Sequence, residues 1–161
     1  MNDFSINRER PDTPDASALV AELHAYLSPQ YPPASQHGLS VDQLIESQVD
    51  FFVLRVGGAL AGCGGMQRFG KEYAELKRFY IRPAYRRNGL GGVLLRHLED
   101  FARTQGIPIV RLETGIYQHE AILLYEKTGY RRIPPFGSYP EDPLSTCYEK
   151  RLAEQDRRSE S

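Results

Sequence analysis

Residues 74–98, with the sequence AELKRFYIRPAYRRNGLGGVLLRHL, decide the fold. The run from Leu76 to Ile81 is rich in aromatic and branched residues, which predicts a β-strand. Pro83 ends this strand, because proline has no N–H to donate to a neighbouring strand. From Leu90 to Phe101 apolar residues recur three or four positions apart, which predicts one face of an amphipathic helix. The stretch is therefore a strand, a turn and a helix, in that order.

The turn between this strand and helix is rich in glycine and follows two arginines. The first N–H groups of a helix have no partner within the helix, and the helix dipole adds partial positive charge there. Glycines allow a phosphate to approach the backbone, and the arginines add full charges. The pattern predicts a pyrophosphate site. Its residues are Arg86, Arg87, Asn88, Gly89, Leu90, Gly91 and Gly92.

The spacing in this turn selects among phosphate-binding families. A P-loop needs Lys and then Ser or Thr after the last glycine, whereas Val93 and Leu94 follow Gly92. A dinucleotide fingerprint also fails, because Leu94 stands where a third small residue is required. The remaining pattern, Arg86-x-x-Gly89-x-Gly91 after a strand, resembles the acetyl-coenzyme A signature of the GNAT N-acetyltransferase superfamily. The alternative is a purely structural turn.

Composition favours a globular domain without a nucleic-acid partner. The chain has 161 residues, of which 40% are apolar and 25% charged, and its net charge is −1. No segment has the length and hydropathy of a signal peptide or a membrane span, so we expect a cytoplasmic protein with no membrane partner. The four histidines and the two cysteines lack metal-ligand spacing, so we expect no metal and reduced thiols at Cys63 and Cys147.

The order of elements predicts an α/β fold with a mixed, mostly antiparallel sheet. A helix joins strands 74–81 and 109–114, so these two are expected to be parallel, in a right-handed crossover. Residues 1–152 are expected to form one domain, and 153–161 a charged, frayed tail. The other expected strands are 4–10, 51–56, 59–68, 130–133 and 146–152, and the helices are 16–27, 40–47, 118–128 and the helix from Leu90 to before Gly106. Gly62, Gly64 and Gly65 predict a bulge or a close approach of a ligand or a helix, although they would also serve as packing glycines.

A second motif extends the resemblance to nearly the whole chain. Residues 118–130, QHEAILLYEKTGY, are similar to the family segment Asn-x-x-Ala-x-x-x-Tyr-Glu-Lys-x-Gly-Phe, with Gln118 in place of the usual Asn. The resemblance implies a GNAT-like fold, in which the central sheet splays at a parallel strand pair and is flanked by about four helices. It also implies that Phe79, Tyr80 and Ile81 hold the pantetheine arm and the acetyl group. Gln118 would contact the cofactor through an amide one methylene further out than that of Asn.

Transfer of an acetyl group to an amine requires a proton acceptor, a stabilised oxyanion and an acid for the leaving thiolate. Tyr125 has the acid role by resemblance, and the alternative is a core aromatic residue. Glu75 and Glu113 lie on the two neighbouring strands and are the candidates for the base. Either carboxylate would equally serve in a surface ion pair.

The resemblance implies that the acceptor lies between 28–39 and 134–145, which are rich in Pro and Tyr and not strongly acidic. A small amine, an amino acid or a modest peptide is therefore favoured over a polycation, and Arg131 or Arg132 would be able to pair with an acceptor carboxylate. The predicted activity is acetyl transfer from acetyl-CoA to a primary amine by direct attack. The alternative is a non-catalytic module that binds or senses acyl-CoA. The resemblance also allows a homodimer.

Overall fold

The computed structural model describes residues 3–152, so the predicted tail at 153–161 lies outside the described residues. Within residues 3–152 the strands are β1 (Phe4–Arg8), β2 (Asp50–Val56), β3 (Ala59–Phe69), β4 (Tyr73–Ile81), β5 (Ile109–Gly115), β6 (Arg131–Ile133) and β7 (Ser145–Arg151). The α-helices there are α1 (Pro14–Leu27), α2 (Val41–Glu46), α3 (Leu90–Thr104) and α4 (His119–Lys127). Short 3₁₀ turns occupy Ser28–Gln30, Pro33–Ser35 and Pro83–Tyr85. The predicted α/β class is confirmed, and each predicted element is present within a few residues of its expected ends.

The strands form one sheet in the order β1-β2-β3-β4-β5-β7-β6. Every neighbouring pair is antiparallel except β4 and β5, which are parallel as predicted. These two strands pair only through Ala74 with Val110 and Glu75 with Arg111. β4 nevertheless continues to Ile81 and β5 to Gly115. The sheet therefore splays open between them, as the family resemblance implies.

Helices cover both faces of the sheet, because its central strands alternate two sets of apolar side chains. On β2, Phe51 and Val53 pack in the same cluster as α1 and α2. Phe52 and Leu54 point the other way and join the cluster that contains the buried face of α3. The central strands are thus buried on both sides, and the edges of the splay lie between two helical layers.

A bulge in β4 changes which side chains of that strand face each layer of helices. Cys63 pairs with Tyr80 and Gly65 with Lys77, so Gly64 alone faces two residues, Arg78 and Phe79. Before the bulge, Ala74 and Leu76 pack against α3. After it, Phe79 and Ile81 take that side, while Tyr80 joins the cluster of α1. The glycines of β3 thus accompany a bulge, one of the predicted alternatives.

A helix also approaches these glycines closely, which was the other predicted alternative, since a Cβ atom added at Gly64 would lie 2.9 Å from Leu98 Cδ1 on α3. A Cβ atom added at Gly62 would lie 2.5 Å from the carbonyl oxygen of Tyr80, a distance that no side chain tolerates. Arg78, at the bulge itself, has a φ of +52° although it is not glycine. The backbone beside the splay is therefore held in an unfavourable conformation by its surroundings.

Helix caps explain where the first two helices begin. The Thr13 hydroxyl accepts the Ala16 N–H at 3.1 Å, and Pro14 occupies the first turn, so α1 begins two residues before the predicted start. Ser40 and Gln43 form a reciprocal capping box at α2, as Ser40 predicted. The Ser40 cap also fixes the end of the segment that joins α1 to α2.

Candidate active site

A cleft of about 510 Å³ lies where the glycine turn, the end of β4 and the start of α4 meet. It contains every residue predicted to bind the cofactor except Asn88 and Leu90. The predicted residues that line it are Phe79, Tyr80, Ile81, Arg86, Arg87, Gly89, Gly91, Gly92 and Gln118. The cleft therefore joins the two sequence motifs, which are 26 or more residues apart in the chain, at one place.

The glycine turn forms the start of α3. Gly89 is the N-cap with a φ of +87°, a conformation that favours glycine. A Cβ at Gly91 would lie 3.2 Å from Leu124 Cδ2 on α4, so a side chain there would press on the neighbouring helix. The Leu90 side chain is buried in the core, and its N–H donates to Asn88 Oδ1 at 3.4 Å. Leu90 would therefore contribute only its backbone to the phosphate site.

The two arginines of this turn meet a carboxylate that the sequence motifs did not single out. Arg86 donates from Nε to the Ile81 carbonyl at 2.8 Å, and its Nη1 lies 3.6 Å from Glu120 Oε1. Arg87 donates from Nε to Glu120 Oε2 at 3.2 Å. Glu120 lies in the first turn of α4 and lines the same cleft. An anionic ligand at the glycine turn would therefore compete with Glu120 for both guanidinium groups.

We expect Glu120→Gln to tighten CoA binding. Removal of this negative charge releases both arginines and relieves repulsion of the ligand phosphates, and exposed ion pairs of this kind contribute up to about 1 kcal/mol, or about fivefold in affinity. Isothermal titration of CoA measures the change, which should grow at low salt. Glu46→Gln, at an exposed position on α2, is the matched control. Unchanged or weaker affinity in Glu120→Gln would contradict this role for Glu120.

The amide of Gln118 is turned towards the segment 28–39, which we call the strap. Its Nε2 donates to the Tyr31 hydroxyl at 2.9 Å and to Gln30 Oε1 at 3.3 Å. The Tyr31 hydroxyl also accepts the Tyr117 N–H at 3.0 Å. A Cβ at Gly115 would lie 2.1 Å from that hydroxyl, so the phenol fills the space beside the end of β5. Gln118 therefore lines the cleft and also holds the strap in place through these hydrogen bonds.

Tyr125 lies in a buried aromatic cluster next to Phe79, which lines the cleft, but it is not itself among the lining residues. Its ring centroid is 5.7 Å from that of Tyr130, 6.1 Å from that of Phe79 and 6.4 Å from that of Tyr148. Burial, and then the charge of Glu113, raise the pKa of the Tyr125 phenol above its ordinary value. Within residues 3–152 its hydroxyl makes no hydrogen bond. Tyr125 is therefore a protonated phenol with a free donor.

The two candidate bases have different surroundings. Glu75 is 3% exposed, and its Oε2 accepts hydrogen bonds from Lys77 Nζ at 2.9 Å and from the Tyr139 hydroxyl. Lys77 also donates to Tyr139 at 2.9 Å. Lys77 thus neutralises the charge of Glu75, and the three side chains are hydrogen-bonded to one another. The sequence reasoning missed Lys77, although it lies two positions from Glu75 on the same side of β4.

Glu113 accepts one hydrogen bond, from the Ser145 hydroxyl to Oε2 at 2.7 Å. Burial raises the pKa of this carboxyl, and the charge of Glu75 raises it further, while the Ser145 hydrogen bond and the charges of His37 and Lys77 lower it. Burial is the largest of these effects. A glutamate with a raised pKa exchanges protons closer to neutral pH than an ordinary one.

The two segments predicted to hold the acceptor, the strap and residues 134–145, contact each other. His37 of the strap lies 3.5 Å from Asp142 Oδ2, and its ring packs edge-on against Tyr139 with centroids 5.4 Å apart. Arg131 and Arg132 are exposed on the edge strand β6 instead. The two candidate bases, their hydrogen-bond partners and His37 form a polar cluster drawn from the strap, β4, β5 and the 134–145 loop.

Both cysteines are buried free thiols. Burial raises the pKa of Cys63 to about 12 and that of Cys147 to about 11. Both are therefore protonated and poorly nucleophilic at neutral pH. Within residues 3–152 no group of three or more His, Cys, Asp or Glu side chains is arranged to hold a metal ion, and no helix there is long and apolar enough to cross a bilayer.

Comparison with known proteins identifies the family. The model of the acetyltransferase (GNAT) family matches residues 20–130. An IAA acetyltransferase from Azospirillum brasilense is 39% identical over 153 residues, which cover 94% of this chain and 100% of that protein. A crystal structure from Klebsiella pneumoniae, assigned to the acyl-CoA N-acyltransferases, is 35% identical with a TM-score of 0.78 and covers 93% of this chain and 98% of that one. A GNAT family acetyltransferase from Elizabethkingia anophelis, solved with acetyl-CoA bound, shares the fold at 18% identity with a TM-score of 0.69, over 92% of this chain and 98% of that chain.

Proposed function

The chain belongs to the acetyltransferase (GNAT) family and is thus an N-acetyltransferase, and we propose that it moves the acetyl group of acetyl-CoA to the primary amine of a small molecule, an amino acid or a peptide. The observation that carries the proposal is the parting of β4 and β5 directly beside the glycine turn. A linear cofactor with a pyrophosphate at one end and a thioester at the other fits that arrangement. The pyrophosphate would lie at the start of α3 and the thioester in the splay.

The residues of the cleft suit each part of acetyl-CoA. The backbone of Phe79 and Ile81 lies on the part of β4 that β5 no longer pairs. Apart from the Ile81 carbonyl, which accepts from Arg86 Nε, we infer that its polar groups are available for the pantetheine arm and the acetyl carbonyl. The glycine turn and Arg87, whose side chain is 86% exposed, offer positive potential to the phosphates. Acetyl-CoA supplies the acetyl thioester when bound.

We infer that Glu113, rather than Glu75, is the general base. Glu75 is paired with Lys77 and accepts a hydrogen bond from Tyr139, so protonation of Glu75 would break a buried ion pair. Glu113 accepts a single hydrogen bond, and burial raises its pKa towards the range where a base works at neutral pH. The position of Glu113 on β5 next to the splay also brings it close enough to influence the Tyr125 phenol.

Tyr125 is proposed as the general acid. The amine nitrogen forms a bond to the acetyl carbon as the carbon–sulfur bond breaks. Glu113 takes the proton that the nitrogen loses, directly or through water, and the Tyr125 hydroxyl gives a proton to the leaving sulfur. One proton leaves the amine and one arrives at sulfur, so the step balances. The raised pKa keeps Tyr125 protonated for this role.

Direct attack is favoured over an acyl-enzyme route. Cys63 packs in the cluster of α1, and burial keeps its thiol protonated, as it does that of Cys147. Within residues 3–152 no histidine or other basic side chain is hydrogen-bonded to either thiol, and Cys63 donates to the Arg78 carbonyl at 3.4 Å.

A non-catalytic acyl-CoA-binding or sensing module is the second candidate function. The observation that favours it is the engagement of the Gln118 amide by Tyr31, because the corresponding family Asn contacts the cofactor. Such a module would bind CoA and release no thiol with any amine. A sensor and an enzyme therefore give the same result in a binding assay and different results in a thiol-release assay.

A thermal melt with acetyl-CoA, CoA, ATP and NAD in parallel tests the cofactor assignment. A ligand present at about a hundred times its dissociation constant adds about 2.7 kcal/mol to the free energy of unfolding, which raises the melting temperature by several degrees. We expect a rise with acetyl-CoA and CoA alone. An equal rise with ATP, or no rise with either CoA form, would refute acetyl-CoA as the co-substrate. Released thiol with an amine panel then separates the enzyme from the sensor.

A further inference from the structure

We propose that Arg78 binds a carboxylate of the acceptor, so that the preferred acceptors are primary amines that also carry a carboxylate, such as amino acids. The inference rests on the proposed acetyl transfer and adds a chemical class to its acceptor. Glu113 would receive the amine and Arg78 the carboxylate. The two groups reach the acceptor side from β5 and β4, the strands that border the splay.

The guanidinium of Arg78 stands apart from the other arginines. Among the arginines of residues 3–152 that are not exposed, it alone lacks a carboxylate partner. Its Nε donates to the Leu39 carbonyl at 2.9 Å, while Nη1 and Nη2 have no hydrogen-bond or ion-pair partner within those residues. A guanidinium presents paired N–H donors that match the two oxygens of a carboxylate. Its outer nitrogens are therefore available for an anionic ligand.

The side chain is held in place by the strap. A Cβ at Gly38 would lie 2.4 Å from Nη1 and 2.5 Å from Cζ, so the guanidinium packs directly on the Gly38 backbone and a side chain there would displace it. The Leu39 carbonyl fixes its orientation through Nε. The strap thus holds a positively charged group directly beneath it, between its own backbone and the end of β4.

The local conformation costs stability, and the structure shows no compensating ion pair for it within residues 3–152. Arg78 occupies the left-handed region with a φ of +52°, which is unfavourable for a residue with a Cβ. Burial partly removes the guanidinium from water, and this lowers its pKa. Groups of this kind are commonly retained at ligand sites, where the ligand supplies the missing partner.

Two adjacent residues of the strap act on the side chains of Arg78 and Glu113. Gly38 touches the Arg78 guanidinium, and the adjacent His37 acts electrostatically on Glu113 and packs against Tyr139. Lys77 lies on the same strand but is already paired with Glu75, so its charge is satisfied. The cluster therefore offers one unpaired cation and one carboxylate of raised pKa, which complement an acceptor that carries one carboxylate and one amine.

The test compares amino acids with their primary amides as acceptors, with released thiol as the readout. The amides keep the amine and the side chain and lack only the carboxylate. A hydrogen-bonded charge pair lost at such a site lowers the specificity constant kcat/KM by about tenfold to a hundredfold, and we expect that preference for the acids. Arg78→Gln should abolish the preference, mainly through a higher KM, and leave the affinity for CoA unchanged. Arg78→Lys should restore part of it, because the charge remains while the paired donors are lost.

Two controls keep this test decisive. Arg132→Gln makes the same change on the exposed edge strand and should leave the preference intact; if it removes the preference instead, the carboxylate binds at Arg132 and not at Arg78. Arg78→Gly relieves the backbone strain, so a well-folded Arg78→Gly variant that also lacks the preference excludes misfolding as the cause.

Equal use of acids and amides by the wild-type enzyme would overturn the inference. No released thiol with either series, despite CoA binding, would instead overturn the proposed acetyl transfer.

Discussion

Replacement of Glu113 by Gln is expected to remove most of the acetyl-transfer activity and at the same time to raise the melting temperature at neutral pH. The rate should fall by about a hundredfold or more, the usual contribution of a positioned general base. CoA affinity should not change, because Glu113 is not among the residues that line the cofactor cleft. Steady-state thiol release, CoA titration and a melt on the same preparation measure the three quantities. A variant that retains full activity would exclude Glu113 as the base.

The gain in stability follows from the direction of the Glu113 pKa. Burial raises this pKa in the folded state, so the folded protein binds more protons than the unfolded chain between the two pKa values. The free energy of unfolding therefore falls as pH rises from the ordinary pKa of glutamate, about 4.3, through the raised folded pKa. The neutral Gln does not titrate, so its advantage should be present at neutral pH and disappear below about pH 4. The wild-type rate should rise with pH through the same folded pKa.

Glu75→Gln is the control for this prediction. It removes the charge that Lys77 needs in a buried pair, so we expect a loss of about 3 kcal/mol in the free energy of unfolding. The two carboxylates lie on neighbouring strands and should thus change stability in opposite directions. If Glu75→Gln stabilises the protein and Glu113→Gln destabilises it, the assignment of the structural and catalytic carboxylates is reversed.

The second large effect is expected for Tyr125→Phe, which should lower kcat by about a hundredfold to ten-thousandfold with CoA affinity unchanged. The substitution removes only the hydroxyl, and the ring continues to pack against Phe79, Tyr130 and Tyr148. Because the hydroxyl makes no hydrogen bond within residues 3–152, its removal should cost little stability. If the variant releases no thiol and melts at the wild-type temperature, the Tyr125 hydroxyl acts in the reaction and not in folding.

Tyr148→Phe is the matched control for the phenol. Its ring lies in the same aromatic cluster, but its hydroxyl donates to Glu126 Oε2 at 3.0 Å. We expect a modest loss of stability and near-normal activity. Should Tyr148→Phe stop the reaction and Tyr125→Phe leave it intact, the acid is Tyr148. The raised pKa of Tyr125 also predicts that its deprotonation causes no fall in rate at mildly alkaline pH.

Local sequence signals predicted the fold well because each of them acts over a few residues. Pro83 and the glycine turn fix where β4 ends and α3 begins, and Ser40 fixes the start of α2. The position of β7 between β5 and β6 was not predicted, since strand order depends on contacts between segments far apart in the chain. The same limit applied to Tyr139, whose hydroxyl links Glu75 on β4 to a loop more than 60 residues away.

The sequence by itself determined the family, the parallel strand pair and the glycine turn that lines the cleft, because strand, turn and helix signals and a glycine spacing are properties of contiguous residues. Only the tertiary structure decided which carboxylate is neutralised and which is available. It also decided that Gln118 bonds to Tyr31, that Glu120 faces the two arginines, and that Arg78 has no carboxylate partner among residues 3–152. Charge state, hydrogen bonding and pKa depend on burial and on neighbours brought together by folding, and those neighbours are not adjacent in the chain.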